Sequence, residues 1–211
     1  MANFWAKTPN WIKPFFSKKF VWNINNNTEP SVYFTFDDGP HPQATPYVLE
    51  QLDKYSAKAT FFCVGNNVVK YPEIYQQVLE KGHSVGNHTY NHLNGWKTDT
   101  QKYLQNIYQA RAFINSNLFR PPYGKIKREQ LKSMYNDNPT WNICMWDVLS
   151  FDFDRKLSPE KCLENVIKNI QPGSIVLFHD STKAWDRMSY ALPFVLEFCK
   201  SKNWKMKKIE Q

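Results

Sequence analysis

Val32-Tyr33-Phe34-Thr35-Phe36, followed at once by Asp37-Asp38-Gly39-Pro40, is the stretch from which the fold of this chain is read. An unbroken β-branched and aromatic run closed by an acidic Gly-Pro turn describes a short strand covered on both faces, as in a parallel sheet. The pattern repeats outward along the chain. Ala59 to Val64, Ser84 to Asn87, Leu118 to Arg120, Thr140 to Trp146, Ser174 to Phe178 and Lys205 to Ile209 are the further strand candidates. Helical patterns lie between them, and three begin with proline where a first-turn residue needs no amide donor: Thr45-Pro46 before Tyr47 to Tyr55, Pro72 before Glu73 to Lys81, and Ser158-Pro159 before Glu160 to Asn169. Thr98 to Asn115, Lys127 to Tyr135 and Tyr190 to Lys200 complete the helices. Strands alternating with helices define an α/β protein, and seven such units point to a seven-stranded (β/α) barrel, with an open sheet as the alternative.

The whole chain sets bounds on this reading. Its 211 residues, 16% of them aromatic, suffice for one sizeable core, and no linker or repeat divides it. We therefore expect a single domain over residues 31–211 with an N-terminal extension, residues 1–30, packing on or near the barrel. In that extension Phe4, Trp5, Trp11, Ile12, Phe15, Phe16 and Phe20 interleave with Lys7, Lys13, Lys18 and Lys19, a pattern that also suits weak contact with an anionic membrane surface. Pro9 and Pro14 interrupt any long amphipathic helix there and favour packing on the domain. No apolar stretch is long enough for a signal-peptide core or a membrane span. The compartment is thus left open, with cytoplasm or membrane periphery as the literal reading.

The net charge of +8 comes with no nucleic-acid-binding motif, so no nucleic-acid partner is expected, and a monomer is the default. Cys63, Cys144, Cys162 and Cys199 are far apart, with neither zinc-type spacing nor a disulfide framework, and read as buried thiols. Asn26-Asn27-Thr28 and Asn87-His88-Thr89 match the glycosylation pattern in form only.

Unusual polar residues follow the carboxyl ends of the expected strands: Asp37 and Asp38 the first, His88 and His92 the third, Arg120 the fourth, Asp147 and Asp152 the fifth, His179 and Asp180 the sixth. In parallel α/β folds these ends share the face where ligands bind. His88 and His92, four residues apart, can reach one ion from one side of a helical turn, and Asp38 supplies a third ligand. Two imidazoles and a carboxylate leave open positions for water and substrate, which suits one divalent metal ion. Zinc is expected, with Co2+, Ni2+ or Fe2+ as alternatives. Two adjacent carboxylates at a buried strand end repel each other, and the metal and Arg120 would relieve that repulsion. Hydrolysis also needs a base and an acid; Asp37 and His179 can serve, with Asp152 beside His179 keeping it protonated. His83, at the wrong end of its strand, reads as structural.

These residues resemble the polysaccharide deacetylase family, carbohydrate esterase family 4, from about Val32 to Ile209. Thr35-Phe36-Asp37-Asp38-Gly39-Pro40 looks like its first motif, with the first aspartate as base and the second as metal ligand; His88-Thr89-Tyr90-Asn91-His92 looks like the second. Arg120-Pro121-Pro122-Tyr123-Gly124 is similar to the third, which implies that Arg120 orients the base and the Tyr123 amide helps hold the oxyanion, with Pro121 assigned to the substrate pocket. Leu177-Phe178-His179 resembles the fifth, with Leu177 in the acetyl pocket and His179 as acid. The fourth motif departs: where the family has tryptophan after the aspartate, Phe153 follows Asp152 and keeps the wall of the pocket without an indole donor. The resemblance implies a distorted seven-stranded (β/α) barrel. It also implies metal-dependent hydrolysis of the N-acetyl group of N-acetylglucosamine-containing glycans, peptidoglycan or chitin-like, releasing acetate and an amino sugar. The rivals are an O-acetyl esterase acting on sugars, a non-haem iron oxygenase using the same triad, and a non-catalytic carbohydrate-binding protein.

Overall fold

The computed structural model describes residues 5–16, 19–25 and 28–210. Phe4 and Lys18 of the aromatic and basic pattern, and Asn26 and Asn27 of the first glycosylation match, lie outside them, as does the side chain of Phe15. In chain order the elements are β1 (Phe20–Val21), β2 (Ser31–Asp37), α1 (Ala44–Lys54), β3 (Ala59–Cys63), α2 (Gly65–Lys70), α3 (Pro72–Glu80), β4 (Ser84–Asn87), α4 (Thr100–Arg111) and β5 (Leu118–Phe119). There follow α5 (Arg128–Asp137), β6 (Asn142–Cys144), β7 (Val148–Leu149), α6 (Pro159–Ile167), β8 (Ile175–His179), α7 (Trp185–Ser201) and β9 (Lys205–Met206).

All strand pairs are parallel, in the order β1-β6-β5-β4-β3-β2-β8-β7, with β9 beside the start of β2. The two ends of this order are forced together. β6 lies next to one end and β7 at the other, yet only Met145, Trp146 and Asp147 separate them, a reach of at most ~14 Å for extended backbone. The sheet must therefore curl, and the result is a distorted, incompletely closed (β/α) barrel. The N-terminal segment lies along both borders of the opening. β1 pairs with β6, while Leu149 N–H donates to Ala6 O (2.8 Å) and Thr8 N–H to Asp147 O (2.7 Å). Lys7 Nζ reaches through to Asp147 at 2.7 Å, and Trp5 and Trp11 stay exposed, edge to face.

Strand periodicity sorts the residues. On β2, Val32, Phe34 and Phe36 face the helices and join the cluster containing Leu49, Leu192, Val195 and Leu196. Tyr33 points the other way and packs with Phe62, Leu118, Cys144 and Ile175. Thr35 and Asp37 share the side of Tyr33, inside the barrel. Each fully buried Phe or Leu of the outer layer contributes about 1.5–3 kcal/mol, so the helix side carries most of the apolar stabilisation and the interior is free to be polar near its open end.

Several elements differ from the sequence expectation. The run Thr140 to Trp146 is not one strand: it breaks after Cys144 and resumes as β7 on the far side of the sheet. β1 and α2 had no readable pattern. α7 begins at Trp185, earlier than Tyr190, because Met188, Ala191, Leu192 and Val195 continue one buried stripe through Pro193. No helix among the described residues is long and apolar enough to cross a membrane.

Candidate active site

Register, more than any single motif, assembles the site. Asp37 is paired with His179 across β2 and β8, Cys63 with Asn87, and Asn87 with Phe119, so Asp37, His88, Arg120 and His179 all emerge at the same end of neighbouring strands. Among the described residues, five of the seven non-glycine residues with positive φ fall in the loops at this end: Asp38 (81°), Thr89 (62°), His92 (55°), Tyr123 (61°) and Phe151 (61°). Backbone in that region is costly and persists where surrounding structure enforces it, commonly at functional sites.

The donor atoms of Asp38, His88 and His92 lie within 4.8 Å of one another. His92 Nε2 stands 3.2 Å and His88 Nε2 3.8 Å from Asp38 Oδ1, yet no N–H is aligned on that buried oxygen, which has no hydrogen-bond partner among the described residues. His88 Nδ1 lies 2.7 Å from the carbonyl oxygen of Arg120, which can only accept; the proton therefore sits on Nδ1 and the lone pair of Nε2 faces Asp38. Burial, opposed chiefly by Asp37, lowers the His88 pKa to about 4, so the ring is neutral at physiological pH. Burial alone would raise the Asp38 pKa, but contact with His92 and the charge of the nearby His179 outweigh it and hold the carboxyl well below its usual range. An orphaned buried carboxylate oxygen beside two imidazoles, with the His88 Nε2 lone pair turned toward it, fits a divalent cation with nitrogen and oxygen ligands.

Asp37 and Arg120 form the second unit. The fully buried guanidinium donates through Nη1 to Asp37 Oδ1 (2.7 Å) and Thr35 Oγ1 (2.8 Å), through Nε to Cys144 O (2.9 Å) and through Nη2 to Met145 O (2.8 Å). It also stacks 4.1 Å over the Phe62 ring. Clamped at four oxygens, it can only present one orientation to Asp37, which keeps Oδ2 free and 3.8 Å from His88 Nε2.

His179 and Asp152 form the third. His179 Nδ1–H donates to Asp152 Oδ1 and the His179 backbone N–H to Oδ2, both at 2.7 Å. Burial works against a charged ring, but the Asp152 carboxylate and its hydrogen bond, aided by Asp38 and Asp37, raise the His179 pKa to about 9. Asp152 is itself held by Arg187, whose Nε donates to its carbonyl (2.6 Å).

These units open into one cavity of about 470 Å³, lined by Asp37, Asp38, His88, His92 and His179 together with the apolar Leu149, Phe153 and Leu177. Phe153 meets the His179 ring edge to face at 5.3 Å. Tyr123 is 60% exposed at the rim, its ring 4.7 Å from that of His92, and its amide N–H has no acceptor among the described residues.

Two sequence expectations are corrected. Asp147 does not join the site: as the residue before β7 it lies at the opposite end of the barrel, bonded to Lys7, Ser174 and the Ile175 amide. Pro121 does not line the cavity; it is buried and its carbonyl accepts the Gly124 N–H. His83, as expected, is away from the cavity, with Nδ1 accepting from the Ala59 amide. Residues that sequence reasoning did not assign to the site include Lys125, Trp146, Leu149 and Lys183, which line the cavity. Asp180 had been grouped with the site but acts as a support. Its buried carboxylate accepts from Gly39 N–H (3.0 Å) and Thr45 Oγ1 (2.5 Å) and holds the Asp37-Asp38-Gly39 turn from beneath. Burial, with Asp38 adding to it, raises its pKa to about 8.

Residues 24–138 match the family model described as polysaccharide deacetylase. Two peptidoglycan-N-acetylglucosamine deacetylases of Bacillus cereus are similar in sequence. One is 36% identical over 71% of this chain and 56% of its own length, so the chain spans little more than half of it; the other is 34% identical over 88% of each. The crystal structure of the Bc1960 peptidoglycan N-acetylglucosamine deacetylase superposes with a TM-score of 0.85 at 30% identity, covering 96% of this chain and 95% of that one.

Proposed function

The chain belongs to the polysaccharide deacetylase family, and from that premise we propose that it hydrolyses the N-acetyl group of N-acetylglucosamine-containing glycans, releasing acetate and a free amino sugar. The observation that carries the reading is the convergence on one cavity of a three-donor cation site, a carboxylate clamped by arginine and an imidazole clamped by carboxylate. Similar sequences are named for peptidoglycan and for chitooligosaccharides alike, so peptidoglycan and a chitin-like glycan both stand as the polymer.

Asp38, His88 and His92 would hold the ion, Zn2+ in our reading from the two-nitrogen, one-oxygen donor set. When bound, it supplies Lewis acidity toward the acetamide carbonyl and acidifies water. Asp37, fixed by Arg120, takes a proton from the attacking water at Oδ2. The free Tyr123 N–H donates to the carbonyl oxygen as negative charge develops there. His179 enters as the imidazolium and gives its Nε2 proton to the departing amine as the C–N bond breaks, with Asp152 stabilising the charged ring beforehand. Leu177 and Phe153 wall the methyl of the acetyl group. A single chain supplies every group, so the active unit is read as a monomer.

The test is acetate release from N-acetylglucosamine oligomers and from peptidoglycan by the zinc-loaded chain, followed by mass spectrometry of the product sugar. Asp37→Asn should keep the metal and lose turnover; acetate release at the unmodified rate would remove Asp37 from the role of base.

A further inference from the structure

A second groove, of about 650 Å³, lies beside the cavity. It is lined by Trp96, Ile126, Lys127 and Arg128, with Phe16 and Phe20 from the N-terminal segment. We propose that this groove is a subsite for the extended strand of an anionic, carboxylate-bearing glycan whose N-acetyl group occupies the cavity. The proposal rests on the deacetylase reading and adds a substrate class to it.

Continuity between groove and cavity is the first argument. Lys125 lines the cavity, and its Nζ lies 5.1 Å over the ring of Trp96, which lines the groove. One backbone segment, Tyr123 to Arg128, walks from one to the other over a distance of at most ~18 Å. A polymer lying in the cavity must leave it in some direction, and this direction carries its own walls.

The form of Trp96 is the second. Its ring is 60% exposed, so it contributes little to the core, yet it is held in place at every point. Its backbone N–H donates to Asn94 Oδ1 (3.1 Å), its indole N–H to Ile126 O (3.3 Å), and Gln130 Nε2 ties down the neighbouring Gly95 carbonyl (3.0 Å). An indole held by its own N–H and left largely exposed is a platform for the C–H face of a sugar ring, because little conformational freedom is left to lose on binding.

Charge is the third. Lys127 Nζ is engaged with Thr98 O (2.9 Å), and the nearest acid on α5, Glu129, accepts from Thr100 Oγ1 (2.6 Å). The exposed Arg128 guanidinium has neither hydrogen bond nor ion pair among the described residues. A free guanidinium beside an aromatic platform matches a sugar bearing a carboxylate. A neutral strand would use Trp96 and leave Arg128 idle.

The full, zinc-loaded chain is assayed with Trp96→Ala, Trp96→Phe and Arg128→Ala, using N-acetylglucosamine tetramer and soluble peptidoglycan strands with free carboxylates. For the strands, Trp96→Ala and Arg128→Ala should each raise KM about tenfold at unchanged kcat, Trp96→Phe should recover most of the loss, and salt should reproduce the Arg128→Ala effect. In Arg128→Ala the ratio of kcat/KM on strands to that on tetramer should fall accordingly. An unchanged ratio overturns the subsite. Co-sedimentation with washed peptidoglycan and with chitin reads binding without turnover. Loss confined to peptidoglycan in Arg128→Ala supports the groove even where no acetate is released, a result that would count against the deacetylase reading alone. Equal loss on chitin in Arg128→Ala overturns the anionic assignment.

Discussion

Asp152→Asn isolates the origin of the proton donor. The substitution keeps shape and one acceptor but removes the charge that faces His179 Nδ1 at 2.7 Å. A His179 pKa of about 9, against about 6.5 for a free imidazole, corresponds to about 3 kcal/mol in favour of the charged ring. Without Asp152, burial, the largest influence on this ring, is opposed only by Asp38 and Asp37, and the value drops toward or below 6.5. The alkaline limb of kcat/KM for acetate release should therefore move down by about two pH units, with kcat at pH 8 reduced more than tenfold. A cation bound at Asp38 lowers the ring's pKa in both proteins, so the displacement between them is the quantity to read. Stability follows the same sign. A folded-state pKa raised above the unfolded one stabilises fully below about pH 6.5 and fades as pH rises through about 9, so the loss of Tm in Asp152→Asn should be largest near pH 6 and shrink above pH 9. Coincident pH profiles for the two proteins would refute the assignment of His179 as a carboxylate-sustained acid.

Arg120→Lys replaces a fork that satisfies four oxygens with a single ammonium that cannot. It should cost about 3–5 kcal/mol in urea unfolding, because Asp37 stays buried without its fixed guanidinium partner, and acetate release should fall with it. Gly39→Ala places a Cβ inside the Asp180 carboxylate, so the Asp38 turn must shift. A loss of about 1–3 kcal/mol in denaturant unfolding is expected together with lowered metal content, since one displacement moves both. His92→Ala should lower zinc stoichiometry, read by plasma mass spectrometry after dialysis against a weak chelator, and leave the melting temperature of the metal-free chain within a degree or two, because the ring is only partly buried.

Much of the site was legible because its residues sit where two local signals meet. Asp37, Asp38, His88, Arg120 and His179 each follow an apolar run that reads as a buried strand, and a parallel sheet aligns those ends whatever the helices between them do. His92 was found by its spacing to His88, although the segment carrying both is an irregular loop with positive φ at Thr89 and His92, not a helical turn. Spacing reported proximity correctly and the local conformation wrongly. The misreading of Asp147 has the opposite cause. Thr140 to Trp146 reads as one continuous strand, but the chain stops pairing at Cys144 and crosses the barrel opening, so Asp147 begins a strand and lies far from the site. Strand end and strand start differ by one break that no turn residue marks.

What remained illegible is the layer that holds the reacting groups. Arg187 looks like one polar residue in an amphipathic helix, yet it sits between Trp185 and Met188 on the apolar side, is nearly fully buried, and fixes the Asp152 carbonyl. A guanidinium on the buried stripe of a helix is expensive unless matched by acceptors, so its position was the available signal. Asp180 follows the same logic at the end of β8. Both residues spend their hydrogen bonds on backbone or turn atoms and leave the cavity to others. Strand ends select which side chains meet; buried polar groups with no opening of their own decide whether they meet in a single geometry. Weakening Arg187 or Asp180 should therefore broaden the orientation of Asp152 or Asp38 before it unfolds the barrel, since neither contributes apolar area to the core that the helices cover.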